Sequence, residues 1–127
     1  MKLKVAVAAA ALAAAAGASL AAPDVLRGEQ VYSRCIACHA LASDRVGPRH
    51  CGLFGRKAGS VPGFLYSDAM RHSKITWDEK TLDLFLARPM KVIPETTMTY
   101  DGIPDARDRK DLIAYLKHAG ASPECRK

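Results

Sequence analysis

The feature that most constrains this 127-residue chain is Cys35-Ile36-Ala37-Cys38-His39. This C-x-x-C-H run is the signal for covalent attachment of a c-type haem. The spacing has a chemical reason. Two thiols about one helical turn apart can add to the two vinyl groups of one porphyrin. The next residue, His39, is then held under the ring and can offer an imidazole nitrogen to the iron.

Residues 1–21 read as a cleaved signal peptide ahead of a domain at 22–127. Lys2 and Lys4 form a positive start, Val5 to Ala16 is apolar and mostly alanine, and small residues follow in Ala16-Gly17-Ala18 and Ser19-Leu20-Ala21. Cleavage is expected after Ala21, with Ala18 as the second choice. The alternative is an uncleaved membrane anchor. The apolar stretch, about 18 residues, sits at the lower limit for spanning, and alanine drives insertion weakly. Export places the domain in an oxidising compartment, the periplasm. Cys51 and Cys125 lie outside the haem motif and invite a disulfide there. It would close a long loop and contribute roughly 4 kcal/mol in the chain-entropy model. Two separate reduced thiols are the other possibility.

The whole chain carries +6, and loss of Lys2 and Lys4 leaves +4. That suits docking to an acidic protein. It is too weak, with too few clustered aromatics, to indicate nucleic acid. One small domain of this size has a modest core, and a flat apolar cofactor would enlarge it.

The periodicity predicts an all-α fold of three to four helices and long loops. Val25, Leu26, Val31 and Tyr32 mark a first helix from about residue 24 to 35, with Gly28 inside it. Residues 43–63 lack a period and hold Gly47-Pro48, Gly52, Gly55, Gly59 and Pro62-Gly63, which reads as an ordered loop around a cofactor. Ser67 caps a short helix. Thr76 is the expected N-cap of another, with Leu82, Phe85 and Leu86 as its apolar stripe and Pro89 as its end. Pro104-Asp105 opens the last helix, Leu112, Ile113, Tyr115 and Leu116 face its core, and Gly120 is its expected stop. No strand pattern of useful length is present.

Other chemistries fit less well. A zinc site could be assembled from Cys35, Cys38, Cys51, His39 and His50, but Cys125 is remote and a second C-x-x-C is missing. A thioredoxin-type dithiol would follow a strand, and none precedes the motif. An electron carrier needs a second axial ligand. Met98 is the candidate, since a neutral, soft thioether stabilises ferrous iron. Met90 is its rival, and packing is the ordinary use of a methionine. His50, His72 and His118 read as surface residues.

The chain resembles the class I cytochromes c, within them the mitochondrial cytochrome c and bacterial cytochrome c2 group. The resemblance spans about residues 27–119. It rests on the C-x-x-C-H run, Gly47-Pro48, Gly52-Leu53-Phe54-Gly55-Arg56-Lys57-Ala58-Gly59, Gly63-Phe64, Tyr66-Ser67-Asp68-Ala69, Trp77, Ile93-Pro94, Thr96, Met98 and Asp111-Leu112-Ile113-Ala114-Tyr115-Leu116-Lys117. It implies a helical fold wrapped around one haem c, joined through Cys35 and Cys38. It implies His39 and Met98 as axial ligands, with the Pro48 carbonyl accepting the other ring N–H of His39. Arg56, Tyr66, Trp77 and Thr96 would meet the haem propionates, and Gly28 and Tyr32 would meet Leu112 and Tyr115. The motif's place near the mature N-terminus argues against the cytochrome c′ type.

The implied function is single-electron transport between redox proteins, not an enzymatic reaction. The alternative is a c-type haem enzyme or gas-binding protein with an open distal iron position. The expected monomer would dock its partners at the haem edge near Arg34, Arg45 and Lys91, with peripheral contact to membrane complexes. Some positions depart from the family. Phe85 stands where a tyrosine is usual, Met70 where asparagine is usual, and Tyr100 where phenylalanine is usual. Met90 and Thr97 stand where mitochondrial members carry docking lysines.

Overall fold

The computed structural model describes residues 1–14 and 21–127. Residues 1–14 form no regular element and are exposed. Residues 15–20, which carry most of the expected cleavage region, lie outside the described residues. Among the described residues no helix is long and apolar enough to cross a membrane.

Among the described residues five α-helices follow in order: α1 (Val25–Tyr32), α2 (Asp68–Arg71), α3 (Glu79–Ala87), α4 (Pro89–Val92) and α5 (Ala106–Gly120). A 3-10 turn, Pro123–Cys125, ends the chain's regular structure. The all-α expectation holds among the described residues. The only pairing of extended backbone among them is an isolated bridge between Lys57 and Thr76.

Polar caps start the longer helices. Asp24 accepts the Arg27 amide at α1, and Asp105 accepts the Asp108 amide at α5. Thr76 does not cap α3. The backbone of residues 75–77 pairs with residues 55–58: Ala58 N–H donates to Ile75 at 2.8 Å, Trp77 N–H to Arg56 at 2.9 Å and Gly55 N–H to Trp77 at 2.7 Å. That pairing holds residues 75–77 extended and shifts the cap to Asp78, which forms a reciprocal capping box with Thr81. α1 is shorter than expected, but turns continue it. Cys35 N–H donates to Tyr32, and both Cys38 and His39 N–H donate to Cys35. Pro89 does more than end α3, because it occupies the first turn of α4. Pro104 lies before the cap of α5, and Gly120 is its last residue rather than a left-handed stop.

α1 crosses α5 at Gly28. A Cβ there would overlap the Asp111 carbonyl and sit 2.7 Å from the Tyr115 Cβ. Around the crossing, Val31, Tyr32, Leu112, Ile113 and Leu116 join Trp77, Leu82, Phe85 and Leu86 in one core. Each large apolar side chain so buried contributes about 1.5–3 kcal/mol. A charged cluster fixes the same helix pair. Asp111, fully buried, accepts the Asp24 amide at 2.8 Å and faces Arg27 and Arg107. Asp108 accepts from Arg27 and from Arg34. The hydrogen bond from Arg27, joined by one from Arg34, holds the Asp108 carboxyl below the ordinary carboxylate range against the opposing effect of burial.

Candidate functional site: a haem cavity behind the C-x-x-C-H turn

The turn after α1 presents Cys35 and Cys38 as free thiols, the first half-buried and the second exposed. Burial pushes the pKa of the Cys35 thiol up. Arg45 braces this turn from outside, donating to the Ile36 carbonyl at 2.5 Å and more distantly to Ala37 and His39.

His39 is buried and points the same way. Its Nδ1 lies 2.9 Å from the Pro48 carbonyl oxygen. That carbonyl can only accept, so Nδ1 carries the proton and Nε2 keeps a free lone pair. Burial lowers the pKa of His39, which favours the neutral, ligating form. Gly47 closes one side, where a Cβ would come 2.6 Å from His39 Nδ1 and collide with the ring.

One cavity joins the expected site. Cys35, Cys38, His39, Pro48, Arg56, Tyr66, Trp77, Thr96 and Met98 all line it, as do Met70, Phe85 and Tyr100. Trp77 is buried against Phe85, with ring centroids 5.0 Å apart. Thr96 is buried, and its hydroxyl accepts the Met98 amide at 3.2 Å, fixing the loop that carries the sulfur. Arg56 is half-buried and donates to the carbonyls of Arg49 and Cys51. Burial lowers its pKa, so an anion beside it would be welcome. Tyr66 accepts the Val61 amide through its hydroxyl oxygen. Met90 is exposed on α4 and does not line the cavity.

These residues fit a covalently attached haem on their own chemistry. Two free thiols sit at the rim, a neutral imidazole offers its free nitrogen, and a thioether lines the same largely apolar space. Among the described residues no cluster of three or more His, Cys, Asp or Glu could hold a bare metal ion. Cys51 and Cys125 instead face each other, with Cα atoms 5.1 Å apart and sulfurs at bonding distance.

One expectation needs correction. His50 is not a surface residue. Its ring stacks on His39 with centroids 4.3 Å apart, its Nδ1 lies 2.9 Å from the Tyr32 hydroxyl, and it lines the cavity. Burial pushes its pKa down to about 3. The signal was available, since His50 is two residues beyond the proline expected to grip His39. His72 and His118 are exposed as expected. Arg34, expected as a docking cation, is engaged with Asp108 at 2.9 Å.

Comparison with known proteins gives the family. The cytochrome c family model matches residues 25–120. Cytochrome c2 of Rhodomicrobium vannielii is 48% identical over 99 residues, covering 76% of this chain and 79% of the relative. Cytochrome c2 of Blastochloris viridis is 43% identical over 107 residues, covering 82% and 84%. The solved structure of cytochrome cH from Methylobacterium extorquens superposes with a TM-score of 0.73 at 42% identity, covering 75% of this chain and 98% of that one. The chain belongs to the cytochrome c family. It is an electron-transfer protein rather than an enzyme, and its C-x-x-C-H motif carries one covalent haem c.

Proposed function

We propose that this cytochrome carries single electrons between redox proteins in the periplasm, with His39 and Met98 as the two axial ligands of its iron. The observation that carries the reading is the His39–Pro48 hydrogen bond. It leaves Nε2 free in the cavity that Met98 also lines. The bound haem supplies a one-electron ferric–ferrous couple. Cys35 and Cys38 hold it by thioethers. Pro48 fixes the His39 tautomer, and Thr96 fixes the Met98 loop. Trp77, Leu82, Phe85 and Leu86 exclude water. Arg56, Tyr66, Trp77 and Thr96 receive the propionates, with the Arg56 guanidinium balancing their charge.

Residues 1–21 act as a cleaved signal, and Cys51 and Cys125 form a disulfide once exported. The mature protein works as a monomer, docking at its haem edge and touching membrane complexes peripherally. Of the three cations expected at that edge, Arg34 is paired with Asp108 and Arg45 is spent on backbone carbonyls. Lys91 is exposed and forms no ion pair among the described residues. The electrostatic steering of partners is therefore weak, and the encounter depends only modestly on salt.

Potentiometric titration of the purified holoprotein, with added CO and cyanide, tests the reading. A reversible one-electron transition and slow or no ligand binding at neutral pH support it. A high-spin ferric spectrum with rapid cyanide binding would establish the open-site alternative instead.

A further inference from the structure

We infer that Tyr32 and His50 form a second support for the axial histidine, setting both the orientation of the His39 ring and the balance between ferric and ferrous states. The inference rests on the proposal that His39 ligates the iron.

The His39 ring sits in a slot with three fixed sides. Nδ1 is tied to the Pro48 carbonyl at 2.9 Å. The backbone of Gly47 is so near the ring that no side chain fits between them. The remaining support is the His50 ring, 4.3 Å away and only 20° from parallel. The hydrogen bond to Pro48 fixes the tautomer but allows the ring to pivot about that bond. A stacked ring opposes the pivot.

His50 is itself held. Its Nδ1 shares a 2.9 Å hydrogen bond with the Tyr32 hydroxyl, and the two rings meet edge to face at 5.6 Å. Its backbone amide donates to Leu41, as does that of Cys51. Tyr32 is anchored in turn, buried on α1 and packed on Tyr115 of α5 at 5.2 Å. The chain of contacts runs from the crossing of α1 and α5 through Tyr32 and His50 to His39. A phenol and an imidazole are costly to bury unless they satisfy each other. Here they do, beside the expected ligand.

The electronic consequence has a sign. The ferric state carries one more positive charge than the ferrous state, shared with the His39 ring. A polar, polarisable pair stabilises that added charge better than apolar groups in the same place would, whichever tautomer His50 adopts. Replacing them by apolar groups therefore favours the ferrous form.

The test uses the holoprotein and the variants Tyr32→Phe and His50→Leu, both of which preserve approximate volume. Midpoint potentials and the paramagnetically shifted NMR signals of the His39 ring and haem methyls are measured. His50→Leu should shift the ferric–ferrous equilibrium toward ferrous by about threefold or more, roughly 28 mV for one electron. Tyr32→Phe should shift it the same way by less, and both should move the His39 signals. Unchanged His39 signals with unchanged or lowered potentials in both variants would overturn the inference and leave the pair as packing. A parent protein lacking axial-histidine signals would instead overturn the ligation proposal, and is recognised before any variant is made.

Discussion

Gly28 of α1 and Asp111 of α5 touch backbone to backbone, and a side chain at residue 28 has nowhere to go. An added Cβ would overlap the Asp111 carbonyl and press on the Tyr115 Cβ. The obstacle is main chain, so relief requires the helices to part. Gly28→Ala is expected to destabilise the holoprotein by about 1–3 kcal/mol or more, despite alanine's better helix propensity. Urea unfolding followed by haem absorbance measures this. An equal or higher midpoint would contradict the close crossing.

The paired carboxylates on α5 make stability depend on acid pH. Asp108 titrates below its ordinary value because Arg27 and Arg34 hydrogen-bond to it. A depressed native pKa gives stability that is fully present above the unfolded value, about 3.9, and is lost as pH falls through the native value. Asp108→Asn should therefore lower stability at pH 7, and the gap from the parent should narrow steadily below about pH 4. Unfolding curves at several pH values check it; a constant gap would assign the effect to packing.

Cys51 and Cys125 close a loop spanning 74 residues of sequence separation. Mass analysis after alkylation without reductant should find both unmodified in exported protein. Cys125→Ser should lower stability by up to about 4 kcal/mol. Two alkylated thiols in the parent would remove the bridge.

Arg34 and Lys91 should separate into structural and docking roles. Arg34→Ala loses the Asp108 partner and should cost about 1 kcal/mol, with little change in the salt dependence of electron exchange. Lys91→Ala should leave stability alone and flatten that salt dependence. Voltammetry at a carboxylate-coated electrode over a range of ionic strength reads the second effect, and thermal unfolding the first. The reverse pattern would return Arg34 to the docking edge.

The sequence was most legible where chemistry constrains spacing. Cys35, Cys38 and His39 declare themselves, and Pro48, Arg56, Tyr66, Trp77, Thr96 and Met98 meet at one cavity although up to 63 positions separate them. The cap at Ser67 could also be read locally. Thr76 misled because its neighbours pair with residues 55–58, a contact across the chain that no local pattern announces. The Arg34–Asp108 pair was equally invisible, since Asp108 lies 74 residues on. His50 was missed because a lone histidine in an aperiodic loop reads as exposed, and its nearness to Pro48 was the one local hint otherwise.

The ligand pair His39 and Met98 is the centre of this account, and the oxidised spectrum tests it most directly. The ferric holoprotein should show a methionine-to-iron charge-transfer band that Met98→Ala abolishes and Met90→Ala leaves intact. A parent without the band, or a Met98→Ala variant that keeps it, would contradict the account.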